Sequence, residues 1–172
     1  MRYQKIIMIG YGNTDRQDDG VAWHVLAGVA RGLGHPVSGP PGEGFFPGET
    51  LQLGAMTLQI EFHLQLVPEF SETIAGYDAV VFIDAHTGRI AEDLSFSEIH
   101  SQFQASPFTH HLTPQSCLEL ARALYGKQPA GYLMTIRGYE FGFTNDCSPR
   151  TQALVEAAAA QLSTWLQEVS NL

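Results

Sequence analysis

Two stretches without a polar residue, 6–9 (Ile-Ile-Met-Ile) and 79–83 (Ala-Val-Val-Phe-Ile), constrain the fold of this chain more than any other feature. Side chains alternate between the two faces of a strand, so a strand that is apolar at every position must be covered on both sides. Two such strands call for a largely parallel sheet held between layers of helix.

The remaining pattern fits that scheme. Val21, Ala22, Val25, Leu26, Val29 and Ala30 recur at helical spacing before Gly32 and Gly34, so the opening unit is strand, loop, amphipathic helix. Residues 34–48 are dense in Gly and Pro and read as loop. Leu58, Ile60, Phe62, Leu64 and Leu66 alternate with Thr57, Gln59, Glu61, His63 and Gln65, which predicts a strand with one wet or partly wet face. Leu51 and Leu53, across Gly54-Ala55, are expected to form its hairpin partner. A short helix is expected between Pro68 and Gly76, and a strand over 94–99. Thr113-Pro114 opens a helix that stops at Gly126, 132–136 makes a last strand, and Ser148-Pro149 starts a long C-terminal helix, with Ser148 as N-cap. The fold predicted is a single three-layer α/β/α domain over residues 1–172, with a mostly parallel twisted sheet.

Composition narrows the partners. With 172 residues, 44% of them hydrophobic and 16% charged, the chain suits one globular core. Its formal net charge of −9 would repel phosphates, so neither nucleic acid nor an anionic membrane is an expected partner. A metal ion or a basic protein segment suits that charge better. The apolar run before Gly10 is too short for a signal-peptide core, and no stretch is long enough to span a bilayer. The two cysteines, Cys117 and Cys147, form no Cys-x-x-Cys pair, consistent with reduced thiols in the cytoplasm. Nothing in the sequence favours more than a monomer.

Ligands of open α/β sheets collect at the carboxyl ends of the strands. Three places there carry metal-capable side chains: the segment 10–20 after the first strand, Asp84 after the second buried strand, and His110-His111 before the Thr113 helix. The first segment is no dinucleotide loop. A third glycine near position 15 is missing, and Asp15, Asp18 and Asp19 put negative charge where a pyrophosphate would sit. Asp18 and Asp19 are placed to cap the first helix, and one can do so while the other faces the cleft. Two aspartates and a histidine from three loops at one sheet edge make an oxygen and nitrogen set suited to zinc or nickel. A nucleophilic hydrolase is disfavoured. Gly-x-Ser-x-Gly is absent, Cys117 falls inside a helix, and Cys147 has no identified base despite its place beside a helix start.

Taken in order, these segments resemble the hydrogenase maturation proteases. Residues 6–9 with Gly10-Tyr11-Gly12-Asn13 and Asp18-Asp19-Gly20 are similar to that family's opening motif, and Val81-Phe82-Ile83-Asp84-Ala85 to its second. His111 sits where the family places a histidine before a helix, and Ile136-Arg137-Gly138-Tyr139-Glu140-Phe141 with Cys147-Ser148-Pro149 resembles its last strand and helix start. The chain departs from the pattern at Ala22, where a Gly is frequent, and at 62–66, where many relatives have an Asp-Gly-Gly-Thr stretch.

The resemblance implies a phosphorylase/hydrolase-like fold and an endopeptidase. It would remove the C-terminal extension of a nickel-iron hydrogenase large-subunit precursor after nickel insertion, with the precursor's nickel as the recognition signal. It also implies that Asp19, Asp84 and His111 bind the metal, with His110 as the rival to His111. No organic cofactor is implied. A non-catalytic chaperone of the precursor's nickel site, a nucleotide-binding oxidoreductase and a zinc aminopeptidase-like enzyme are the alternatives at this stage.

Overall fold

The computed structural model describes residues 3–45, 49–103 and 112–170. Among these residues six strands, β1 (Lys5–Tyr11), β2 (Glu49–Leu53), β3 (Met56–His63), β4 (Ala79–His86), β5 (Leu94–Ile99) and β6 (Ala130–Arg137), form one sheet in the order β2-β3-β1-β4-β6-β5. The four inner strands are parallel, and β2 and β5 run antiparallel along the two edges. Helices α1 (Val21–Gly32) and α4 (Pro149–Ser170) cover one face, and α2 (Phe70–Ile74) and α3 (Pro114–Tyr125) the other. The chain thus has the three-layer α/β architecture that its apolar strands predict.

Alternation along β1 shows why those strands carry no polar residue. Ile6 and Met8 enter the core under α1 and α4, while Ile7 and Ile9 enter the core under α2 and α3. All four are fully buried. Along β4, Val81 and Ile83 share the first core, and Val80 and Phe82 share the second. At the end of β1, a Cβ on Gly10 would come within 2.8 Å of Leu26 and 3.1 Å of the Ala22 side chain, so α1 crosses the strand at close range. Ala22 is small enough for that crossing.

Both buried strands run past their apolar stretches, β1 to Tyr11 and β4 to His86. The ladder with β6 continues through Asp84↔Thr135, Ala85↔Ile136 and His86↔Arg137, so Asp84 lies inside a strand rather than just beyond one. Backbone pairing, which hydrophobicity does not report, sets that end. β3 stops at His63 although the sequence alternation runs on to Leu66, which turns into the core beneath α2 and α3. The polar face of β3 is partly wet at most: Glu61 accepts from Gln59 and pairs with His63 at 2.9 Å, and the Tyr77 hydroxyl donates to Gln59. The predicted hairpin forms, with Leu51 opposite Leu58 and Leu53 opposite Met56. Thr113 caps α3 by accepting the Ser116 N–H at 3.1 Å, and Gly126 closes it in the left-handed conformation. Among the described residues no helix is long and apolar enough to cross a membrane.

Candidate functional site

Between β1 and α1 the chain passes through a short 3₁₀ segment, Thr14–Gly20, kinked at Arg16 and Gln17. Gln17 takes a positive φ of 51°, a conformation that normally favours glycine. Three bonds to a distant loop hold it there. Its N–H donates to the Thr144 carbonyl at 2.9 Å, its Oε1 accepts the Gly142 N–H at 3.0 Å, and its Nε2 donates to Glu140 at 3.1 Å.

The kink separates the acidic pair. Asp18 turns inward and is 0% exposed. Its carboxylate accepts the N–H groups of Tyr139, Glu140 and Ser148 and the hydroxyls of Ser148 and Thr151. Burial pushes its pKa up, but the bonds from Ser148, Glu140 and Tyr139 outweigh this and hold it below the usual carboxylate range. The expectation that the pair caps the first helix is therefore corrected. The cap of α1 is Gly20, which makes no side-chain bond, and Asp18 instead secures the start of α4, where Ser148 also accepts from Thr151 N–H. The donors that claim Asp18 come from the loop after β6 and from the start of a helix 130 residues away in sequence.

Asp19 points the other way, half-buried, and accepts the Asn13 N–H at 2.9 Å. Gly12 is indispensable to this turn: its φ is +146°, and a Cβ there would lie 2.0 Å from the Asp19 carbonyl oxygen.

Asp84 lies on the α2/α3 face of β4, one position beyond Ile83. Burial raises its pKa from the ordinary aspartate value to about 7. Hydrogen bonds from the Tyr11 hydroxyl and the Ala85 N–H counter that rise, the negative charge of Asp19 adds to it, and Arg89 opposes it. The Tyr11 hydroxyl is in turn pushed well above its usual pKa by burial and by Asp84. Two carboxylates that feel each other at the carboxyl edge of a parallel sheet would both gain from a shared cation.

Asp19 and Asp84 line one cleft of about 650 Å³, together with Tyr11, His86, Leu112 and Phe141. His111 and its rival His110 lie outside the described residues, and the chain is next described at Leu112, on the cleft wall. Among the described residues no three His, Cys, Asp or Glu side chains form a ready metal cluster. Both cysteines are unpaired, and burial pushes both thiols up to about 12, so neither is an activated nucleophile.

Sequence reasoning missed Tyr11 and His86 as cleft residues. The signal for His86 was present, since residues 84 and 86 of one strand share a face, but it required knowing that the strand continues past Asp84. For Tyr11 the signal was weaker, because only the pairing of β1 with β4 brings its hydroxyl to Asp84.

No family model matches the chain. No curated protein matches it significantly. Solved structures do. The NiFe hydrogenase maturation protease HycI from Thermococcus kodakarensis superposes with a TM-score of 0.62 at 17% identity, covering 99% of this chain and 94% of that one. The hydrogenase maturating endopeptidase HybD from E. coli gives a TM-score of 0.63 at 17% identity, covering 98% and 93%. HybD from Thermococcus kodakarensis gives 0.55 at 15% identity, covering 96% and 99%. The chain therefore has the fold of the hydrogenase maturation proteases along nearly its whole length.

Proposed function

We propose that this chain is a cytoplasmic endopeptidase, acting as a monomer, that removes the C-terminal extension of a nickel-iron hydrogenase large-subunit precursor after nickel insertion. The observation that carries this reading is the meeting of Asp19 and Asp84, from two separate motifs, in one cleft of a chain with the maturation-protease fold. Nickel belongs to the substrate in this reading. Asp19, Asp84 and His111 would complete its coordination, and a divalent ion held there supplies Lewis acidity at the scissile carbonyl. The donor set fits the ion: burial and the charge of Asp19 push the Asp84 carboxyl towards its neutral form, and a cation beside it would restore its ionisation.

The chain's own groups have separable tasks. Tyr11 orients the Asp84 carboxyl through its hydroxyl. The Asn13 N–H holds Asp19 in its rotamer. Leu112 and Phe141 supply apolar walls that keep water from a bound peptide.

The deciding measurement is the intact mass of a nickel-loaded precursor, before and after incubation with the wild-type chain and with Asp84→Ala. Loss of a short C-terminal piece with wild type alone is the expected result. An unchanged mass with wild type would leave a protein that binds the precursor without cutting it.

A further inference from the structure

Among the described residues, the buried side-chain polar atoms that lack a hydrogen-bond partner are His86 Nε2, Thr135 Oγ1 and Arg137 Nε. They are not scattered. All three sit at the carboxyl ends of the adjoining strands β4 and β6, where His86 pairs in register with Arg137 and Thr135 with Asp84. Strand alternation puts these four side chains on one face of the sheet, and of the three unpartnered residues it is His86 that lines the cleft, beside Asp84. A buried polar atom without a partner is a cost to the fold, and three in one patch mark a place completed by something else.

The chemistry of the missing partner follows from the donors. Gly88 N–H donates to His86 Nδ1 at 3.1 Å, so Nδ1 carries the lone pair and Nε2 carries the hydrogen. In that tautomer Nε2 cannot ligate a metal; it can only donate. The Arg137 guanidinium borders the same glycine, because a Cβ on Gly88 would lie 3.1 to 3.4 Å from its Nη2, Cζ and Nε. Asp93 holds Arg137 Nη1 at 3.3 Å and the Tyr139 ring lies 4.9 Å from Cζ, while Nε stays buried without a bond. Nε–H, too, is only a donor. An acceptor oxygen is what the patch lacks. A carboxylate would meet the negative charges of Asp84 and Asp19 close by, whereas a neutral carbonyl would not.

We propose that His86 Nε2–H, the one of these unpartnered atoms carried by a residue of the cleft wall, binds a main-chain carbonyl oxygen of the substrate peptide in the segment next to the scissile bond. This rests on the endopeptidase reading and names the substrate-binding group that the metal ligands alone do not supply.

The test compares wild type, His86→Leu and His86→Gln in three readouts: thermal midpoint, affinity for a synthetic peptide spanning the precursor's cleavage region, and single-turnover cleavage of the nickel-loaded precursor. His86→Leu should keep or raise the midpoint, because it removes an unpaired polar group, while weakening peptide binding about tenfold and slowing cleavage about a hundredfold. His86→Gln, which keeps a donor near the Nε2 position, should recover both to within about tenfold of wild type. The proposal is overturned if His86→Leu binds the peptide as wild type does. It is equally overturned if the midpoint drops by about 5 °C or more and Gln restores neither function, since the imidazole would then be a structural bond-maker. A wild-type chain that binds the peptide but never cuts the precursor overturns the endopeptidase reading instead, and the donor site is then judged on the peptide affinities.

Discussion

Asp84 is where the cost and the use of this site coincide. Its folded pKa of about 7 stands above the ~3.9 of an aspartate in an unfolded chain. Between those values the fold keeps a proton that the unfolded chain releases, so stability declines as pH rises from about 4 to about 7 and stays lower beyond. Asp84→Asn should therefore stabilise the chain at pH 8, by roughly 1–3 kcal/mol once solvent screening is allowed for, and change little at pH 4. It should also abolish cleavage. Calorimetry at the two pH values checks the sign, and equal shifts at both would show that Asp84 holds no such proton. Gly12→Ala tests the neighbouring turn, where a methyl would lie 2.0 Å from the Asp19 carbonyl oxygen. The turn must open to admit it, at a cost of about 2 kcal/mol or more, and Asp19 leaves the cleft with it. Cleavage should fall more than tenfold, and a variant of wild-type activity would show that Asp19 is not positioned by this turn.

Among elements, the joint between the acidic segment, the loop after β6 and the start of α4 decides how rigid the cleft wall is. Asp18, in the first of these, bonds to the other two, and Gly138 lets it approach, since a Cβ there would come within 2.9 Å of the Asp18 Cβ. Gln17 adds its bonds from the same side, and between them they fix the loop that carries Phe141. Asp18→Asn keeps the shape but loses the charge and forces an NH₂ towards N–H donors. Urea unfolding should show a loss of about 2–4 kcal/mol. Asp15→Asn, at an exposed position bonded to the Asn145 side chain, should change stability by less than about 1 kcal/mol. Comparable losses in the two variants would mean that Asp18 is no more than another surface acid.

At the scale of the whole molecule, strand order places the cleft. From β1 the chain moves to β3 on one side, then crosses back to β4 on the other, so β1 and β4 part company at their carboxyl ends. Such a switch point opens a crevice, and Tyr11 and Asp84 stand on its two sides. The fold also carries an acid limit. Asp18 is held low by its hydrogen bonds against burial, and Glu61 is held low first of all by its bond to His63. For groups with depressed folded values, the stability they add is present above about pH 4 and lost as pH falls through those folded values. The thermal midpoint of wild type should drop steeply below about pH 4, and Asp18→Asn should flatten that limb; an unchanged slope would remove Asp18 as its source.

What the sequence determined by itself was local or periodic. Apolar runs at 6–9 and 79–83 predicted the doubly covered strands, Thr113-Pro114 and Gly126 bounded α3, and the ends of the two runs pointed to Asp84 and to the acidic pair Asp18-Asp19, of which the family resemblance favoured Asp19. Those signals are readable because strand and helix periods, caps and turns act within a few residues of chain. Tertiary structure supplied the physical reason why one acid of the pair is free. Asp18 and Asp19 are equivalent by every local rule, and only donors more than 120 residues away claim the first and leave the second to the cleft. It also decided that β4 runs on to His86, since the bonds that extend it come from β6. The unpaired donors beside Asp84 belong to the same class: a side chain becomes an orphan only when the fold has buried it and supplied no partner.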